Sequence, residues 1–218
     1  MLARLHQRWS ALEDELGWPP GPATNLRDAL IAAYGEPHRR YHTVEHLDAV
    51  LTTLDELTRP RPPAAASRLA TWFHDAVYDP PRFDNEERSA AMAEAELARL
   101  GTDGRLVAEV AALVLATKGH DVAGDEPAGT DHHEMLDADM AILGSPPAAY
   151  ARYADAIRAE YGHLPDEVFR PGRAAVLRGF LARPTLFLTA AALERFEAAA
   201  RHNLAEELAR LDGSRPFS

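Results

Sequence analysis

His74 and Asp75 stand side by side in Trp72-Phe73-His74-Asp75-Ala76-Val77-Tyr78-Asp79, directly after an apolar helical run. They pair a neutral nitrogen ligand with an anionic oxygen ligand. His46 lies upstream on another predicted helix. Asp139 lies downstream, in Leu136-Asp137-Ala138-Asp139-Met140-Ala141-Ile142-Leu143-Gly144. Two imidazoles and two carboxylates from three helices make an N/O cage for one divalent transition metal. The chain has no cysteine, which excludes disulfides, thiolate zinc sites and thiol nucleophiles. An unpaired carboxylate buried after Leu69-Ala70-Thr71-Trp72-Phe73 would cost several kcal/mol, and a cation is the economical way to offset that cost.

The neighbouring groups have plain alternatives. His42 and His46 are four apart and share a face if both are helical. His46 lies among Leu47 and Val50, where a histidine needs a partner, whereas His42 reads equally well as part of a solvated helix start. Asp137 and Asp139 are two apart and point to different sides of one helix. Asp139 shares a face with Met135, Leu136 and Leu143 and is the expected buried member, which leaves Asp137 solvated or behind the ligands.

The elements that must position these groups are helical from end to end. Leu2, Leu5, Trp9, Leu12 and Leu16 recur at steps of three and four, and Gly17-Trp18-Pro19-Pro20 stops that run. Leu26, Leu30, Ile31 and Tyr34 mark a short second helix begun by Thr24 or Asn25. Thr43 caps a third, with Val44, Leu47, Val50, Leu51 and Leu54 inward. The pattern predicts further helices over 64–76, 85–100, 106–117, 132–143, 147–161, 166–181 and 189–211. Gly119 to Thr130 reads as a polar loop. No run of alternating β-branched residues suggests a strand. The expected class is all-α: one irregular multi-helix domain over 1–218, with a metal-site core at about 24–145 and C-terminal helices 147–211 packed on it.

The 218 residues carry 34 acidic and 23 basic side chains, a net charge of −11. That balance argues against nucleic acid or an anionic membrane as partner, but a bound cation can invert the local field for a phosphorylated substrate. No apolar stretch approaches a membrane span. The N-terminus has no signal-peptide core, so a cytoplasmic protein is the expectation. A homodimer is compatible with the chain, and nothing in the residues selects it.

His46, His74-Asp75 and Asp139 resemble the H…HD…D signature of the HD-domain superfamily of metal-dependent phosphohydrolases. The His46-to-His74 interval is 28 positions, and the Asp75-to-Asp139 interval is 64. Arg40-Tyr41-His42-Thr43-x-x-His46, the segment 72–79 and the segment 137–144 together resemble a bacterial subgroup of predicted metal-dependent HD phosphohydrolases. The resemblance implies an HD-domain fold, favours Asp139 over Asp137, and implies hydrolysis of a phosphate ester or anhydride, on a nucleotide or other small phosphorylated metabolite.

Within that reading Asp79, four beyond Asp75 and able to project from the same helix end, or Glu86 assists the attacking water. Arg40, with Lys118, balances substrate charge; Arg39 and Arg40 together could clamp a phosphate, with solvated arginines as the commoner alternative. Only half of the acidic pair of the superfamily's alarmone hydrolases is present, in Tyr78-Asp79. Mixed imidazole and carboxylate ligation suits Mn, Fe, Co, Ni or Zn better than Mg. A second metal, helped by His120, His132 or His133, stays open. Two other readings are a di-iron HD-type oxygenase and a non-catalytic, metal-stabilised ligand-binding or scaffold protein.

Overall fold

The computed structural model describes residues 1–120 and 131–213, and among them every regular element is helical. The helices are α1 (Leu2–Leu16), α2 (Pro20–Tyr34), α3 (Val44–Leu57), α4 (Ala65–Phe73), α5 (Asn85–Arg99), α6 (Gly104–Ala116), α7 (His132–Met140), α8 (Pro147–Glu160), α9 (Asp166–Leu181) and α10 (Ala190–Leu211). A 3₁₀ turn, Ala141–Gly144, follows α7. The all-α expectation holds, with most helix ends within a residue or two of the periodicity. From residue 121 on, the expected polar loop lies outside the described residues. No described helix is long and apolar enough to cross a membrane.

The chain divides into two compact units, Met1–Leu136 and Asp137–Ser218. In the first, α1 buries Leu5, Trp9 and Leu12 and ends on Gly17, whose φ of 64° is the left-handed conformation that glycine adopts without strain. α2 starts earlier than its apolar stripe, at Pro20, because proline lacks the N–H that a first helical turn leaves unpaired anyway. α4 is the central helix of this unit. It packs against α3, α5 and α6 and buries seven of its nine residues, as a helix enclosed on all sides must.

Trp72 on α4 meets Trp9 edge-on at 5.0 Å, and Trp9 in turn lies 5.7 Å from Trp18. The Trp9 indole N–H donates to Ala23 O at 3.1 Å. This aromatic block fixes the last turn of α4, two residues before His74. In the second unit α10 packs against α8, α9 and the 3₁₀ turn. There Asn203 donates to Leu143 O (2.8 Å) and Ser145 O (2.9 Å), tying the turn to α10.

Candidate metal centre

The site begins where α4 stops. The helix ends at Phe73, short of the expected Ala76, although no glycine or proline follows until Pro80. The Asp75 N–H, which in a continuing helix would bond Thr71 O, donates instead to the Tyr34 hydroxyl at 3.3 Å. That leaves the Thr71 carbonyl for the side chain of His74, whose Nδ1 approaches it at 2.8 Å. A carbonyl only accepts, so Nδ1 carries the proton and Nε2 presents a bare lone pair. Helix termination thus sets the tautomer a metal ligand needs.

His46 projects from the first turns of α3 to meet that lone pair. Its Nε2 lies 3.1 Å from His74 Nε2 and 3.5 Å from Asp75 Oδ2, and His74 Nε2 lies 3.0 Å from the same carboxylate oxygen. Donors about 2.1 Å from a shared ion stand roughly 3.0–3.5 Å apart when they subtend angles of about 90–115°. All three spacings fall in that range. A close contact between two imidazole nitrogens also requires something positive between them, a proton or a cation. His46, His74 and Asp75 are the only group of three or more possible metal-holding side chains found among the described residues. The donor set therefore fits one divalent ion.

With a proton rather than a cation between the rings, burial raises the Asp75 carboxyl, but the charges of His74 and His42, with hydrogen bonds from the His46 and His74 rings, outweigh it and hold the group well below the ordinary carboxylate range. Asp75 is then an anion throughout the neutral range. Tyr34 behaves oppositely: burial, the largest influence, pushes its hydroxyl up to about 12, so it stays a neutral hydrogen-bonding group beneath the site. The side chains of His46 and His74 are only 3% and 1% exposed, against 20% for Asp75, so the cluster opens to solvent on its carboxylate side.

The other expected residues separate into distinct places. His42 precedes α3 and does not share its helical face, yet its ring lies 5.8 Å from His46 and 4.2 Å from Tyr78. Arg40 is exposed and its guanidinium donates to Pro37 O and Arg39 O. Asp79 is exposed in a turn that Asn85 closes through both backbone groups of the aspartate, at 3.1 and 3.0 Å. With α4 ended at Phe73, the helical four-residue relation between Asp75 and Asp79 is lost. Glu86 sits in the first turn of α5, 4.0 Å from the Lys118 ammonium, which also pairs with Glu87. His120 closes the described segment after α6 with a φ of 47°. His132 pairs with Glu109 at 2.8 Å, and His133 is half-buried beside it.

The two aspartates of α7 reverse their expected burial. Asp137 is 1% exposed, while Asp139 is only partly buried. Asp137 accepts from Leu188 N (2.8 Å), Thr189 N (2.8 Å) and Thr189 Oγ1 (2.7 Å), at the entry to α10. These donors arrive some fifty residues later in the chain, where helical periodicity cannot see them. Asp137 is thus a structural anion in the second unit. Asp137→Ala is expected to leave metal stoichiometry unchanged while lowering unfolding free energy by at least ~2 kcal/mol, as read by urea denaturation beside metal analysis.

Sequence reasoning missed the supporting roles of Tyr34, Thr71 and the buried Arg39. Thr71 was the most accessible of them, because a carbonyl three residues before a histidine at a helix end is within reach of its Nδ1. No family model, curated protein or solved structure matches this chain.

Proposed function

We propose that the protein is a metal-dependent phosphohydrolase, acting on an ester or anhydride of a small phosphorylated metabolite such as a nucleotide. The observation that carries this reading is the His46–His74–Asp75 cluster, three N/O donors on 3.0–3.5 Å spacings, buried on its histidine side and open on its carboxylate side. Three protein ligands with an accessible remainder are the arrangement of a catalytic ion rather than a closed structural one. The resemblance to the HD superfamily supports the same chemistry and implies Asp139 as an additional ligand, which on an octahedral ion still leaves positions for water; Asp139→Asn is the variant that decides it.

A divalent ion bound there would polarise a phosphoryl oxygen and lower the pKa of water. The chain's own groups do the rest. His46, His74 and Asp75 would hold the ion, and the Thr71 carbonyl would keep the His74 lone pair pointed at it. Water attacks phosphorus, the bond to the leaving oxygen breaks, and Asp79 or Glu86 takes the water's proton. Arg40 and Lys118 offset the substrate's negative charge, which the net charge of −11 would otherwise repel.

The test is phosphate release from a panel of nucleotides and generic phosphate esters, with manganese added to the purified protein. Release is expected for at least one class and is expected to vanish in Asp75→Ala. Undiminished release in that variant would assign the activity elsewhere. Two irons per chain with no phosphate release from any member would replace hydrolysis with oxygen chemistry.

A further inference from the structure

Arg39, read from the sequence as a solvated arginine or else a clamp on a substrate phosphate, has a guanidinium that is fully occupied inside the protein. Its side chain is 0% exposed. Nη1 donates to Asp75 O (2.8 Å) and His42 O (3.2 Å), and Nη2 donates to Ala76 O (3.2 Å). Nε and Nη2 both reach Glu36 Oε2, at 3.2 and 3.1 Å. All five of the N–H groups an arginine owns are therefore matched. The guanidinium carbon stands 5.3 Å from the Tyr34 ring centre and 5.3 Å from that of Tyr78, so aromatic faces cover the plane whose edges are hydrogen-bonded.

We infer that Arg39 is the positioning residue of the metal centre, and this rests on the metal reading above. Its contacts join two segments that have no backbone ladder between them. One is the loop before α3, through Glu36 and His42, which leads into the helix that carries His46. The other is the turn after α4, through the carbonyls of Asp75 and Ala76. Those carbonyls are orphaned because α4 ends at Phe73, and the fork of one guanidinium satisfies both. Asp75 is thereby held by its own backbone at a fixed distance from His46. Glu36 cancels the guanidinium charge, so the clamp stands behind a cation site without repelling a cation. Lysine cannot substitute, because one ammonium presents a point charge and no planar fork to adjacent carbonyls.

The probe is Co²⁺ alone, whose visible absorption reports the number and geometry of its ligands. Arg39→Lys is expected to weaken Co²⁺ binding by about 10–100-fold and to alter the visible band of the fraction that binds. Leu12→Ala, a core truncation on α1, supplies a comparable loss of melting temperature and is expected to keep the wild-type band and affinity. Wild-type affinity and band in a folded Arg39→Lys protein would overturn the inference. If that protein does not fold, Glu36→Gln decides: it keeps the carbonyl bonds but removes the charge that orients the fork. A weaker affinity and shifted band in Glu36→Gln support the clamp, and unchanged values overturn it. A wild-type protein that takes up no Co²⁺ removes the metal reading and the clamp together, an outcome distinct from binding that is indifferent to Arg39.

Discussion

His74→Ala is expected to weaken divalent-metal binding by more than about 100-fold, since loss of groups that merely orient ligands costs 10–100-fold and this change deletes a ligand. Calorimetric titration with Mn²⁺ or Zn²⁺ measures it directly. Thermal denaturation measures it independently, because an ion that binds only the folded chain stabilises it in proportion to the logarithm of its saturation. At a metal concentration of a hundred times the wild-type dissociation constant, that gain is roughly 2.7 kcal/mol. A hundredfold weaker site would gain about 0.4 kcal/mol under the same conditions. The comparison must use these metal-induced increments and not the melting temperatures themselves. His74 is 2% exposed, so its truncation also opens space in the interior and leaves the Thr71 carbonyl with only the longer, 3.5 Å bond from the Tyr34 hydroxyl. Equal increments in the two proteins would mean that the ion, if any, sits away from His46, His74 and Asp75, and the hydrolase reading would fall with it.

The residues of this cluster were legible from sequence for chemical reasons. With no cysteine, only imidazole and carboxylate were available, and an Asp following five apolar-leaning helical residues had to be compensated. The helices were legible because nearly every one carries its apolar stripe at steps of three and four. The failures share one cause, a partner distant in sequence. α4 stops at Phe73, where the Tyr34 hydroxyl takes the Asp75 N–H, and Arg39 then satisfies the freed Asp75 and Ala76 carbonyls. Nothing local marks that boundary, and Asp79 therefore leaves the helical register in which it was read. Asp137 is buried because Leu188 and Thr189 aim their N–H groups at it, not because of its place on a helical wheel. Arg39 and Arg40 are adjacent and chemically identical, yet one is enclosed and one exposed. Only the fold distinguishes a clamp from a surface charge.

Gly144→Ala is the substitution expected to do most harm to the second unit for the fewest added atoms. Gly144 ends the 3₁₀ turn after α7, where it lies against α10. A methyl group there would stand 2.6 Å from Phe196 Cβ, 2.7 Å from Phe196 O and 2.9 Å from Phe196 Cα. Two of those atoms are backbone and the third is the root of the side chain, so no rotamer change relieves the overlap. The turn and α10 must separate. Separation works against Asn203, whose amide bonds the carbonyls on either side of Gly144 at 2.8 and 2.9 Å. Overpacking alone costs about 1–3 kcal/mol, occasionally more, and each strained hydrogen bond adds up to about 1 kcal/mol, so a loss of roughly 3 kcal/mol or more is expected by urea denaturation. Gly172→Ala is the matched control. Gly172 is interior to α9 with nothing within 4 Å of an added Cβ. There the same methyl group should stabilise by up to about 1 kcal/mol, because alanine gives up less chain entropy in a helix than glycine. If the two variants shifted stability alike, the close approach of the 3₁₀ turn to α10 would not be a feature of the folded protein.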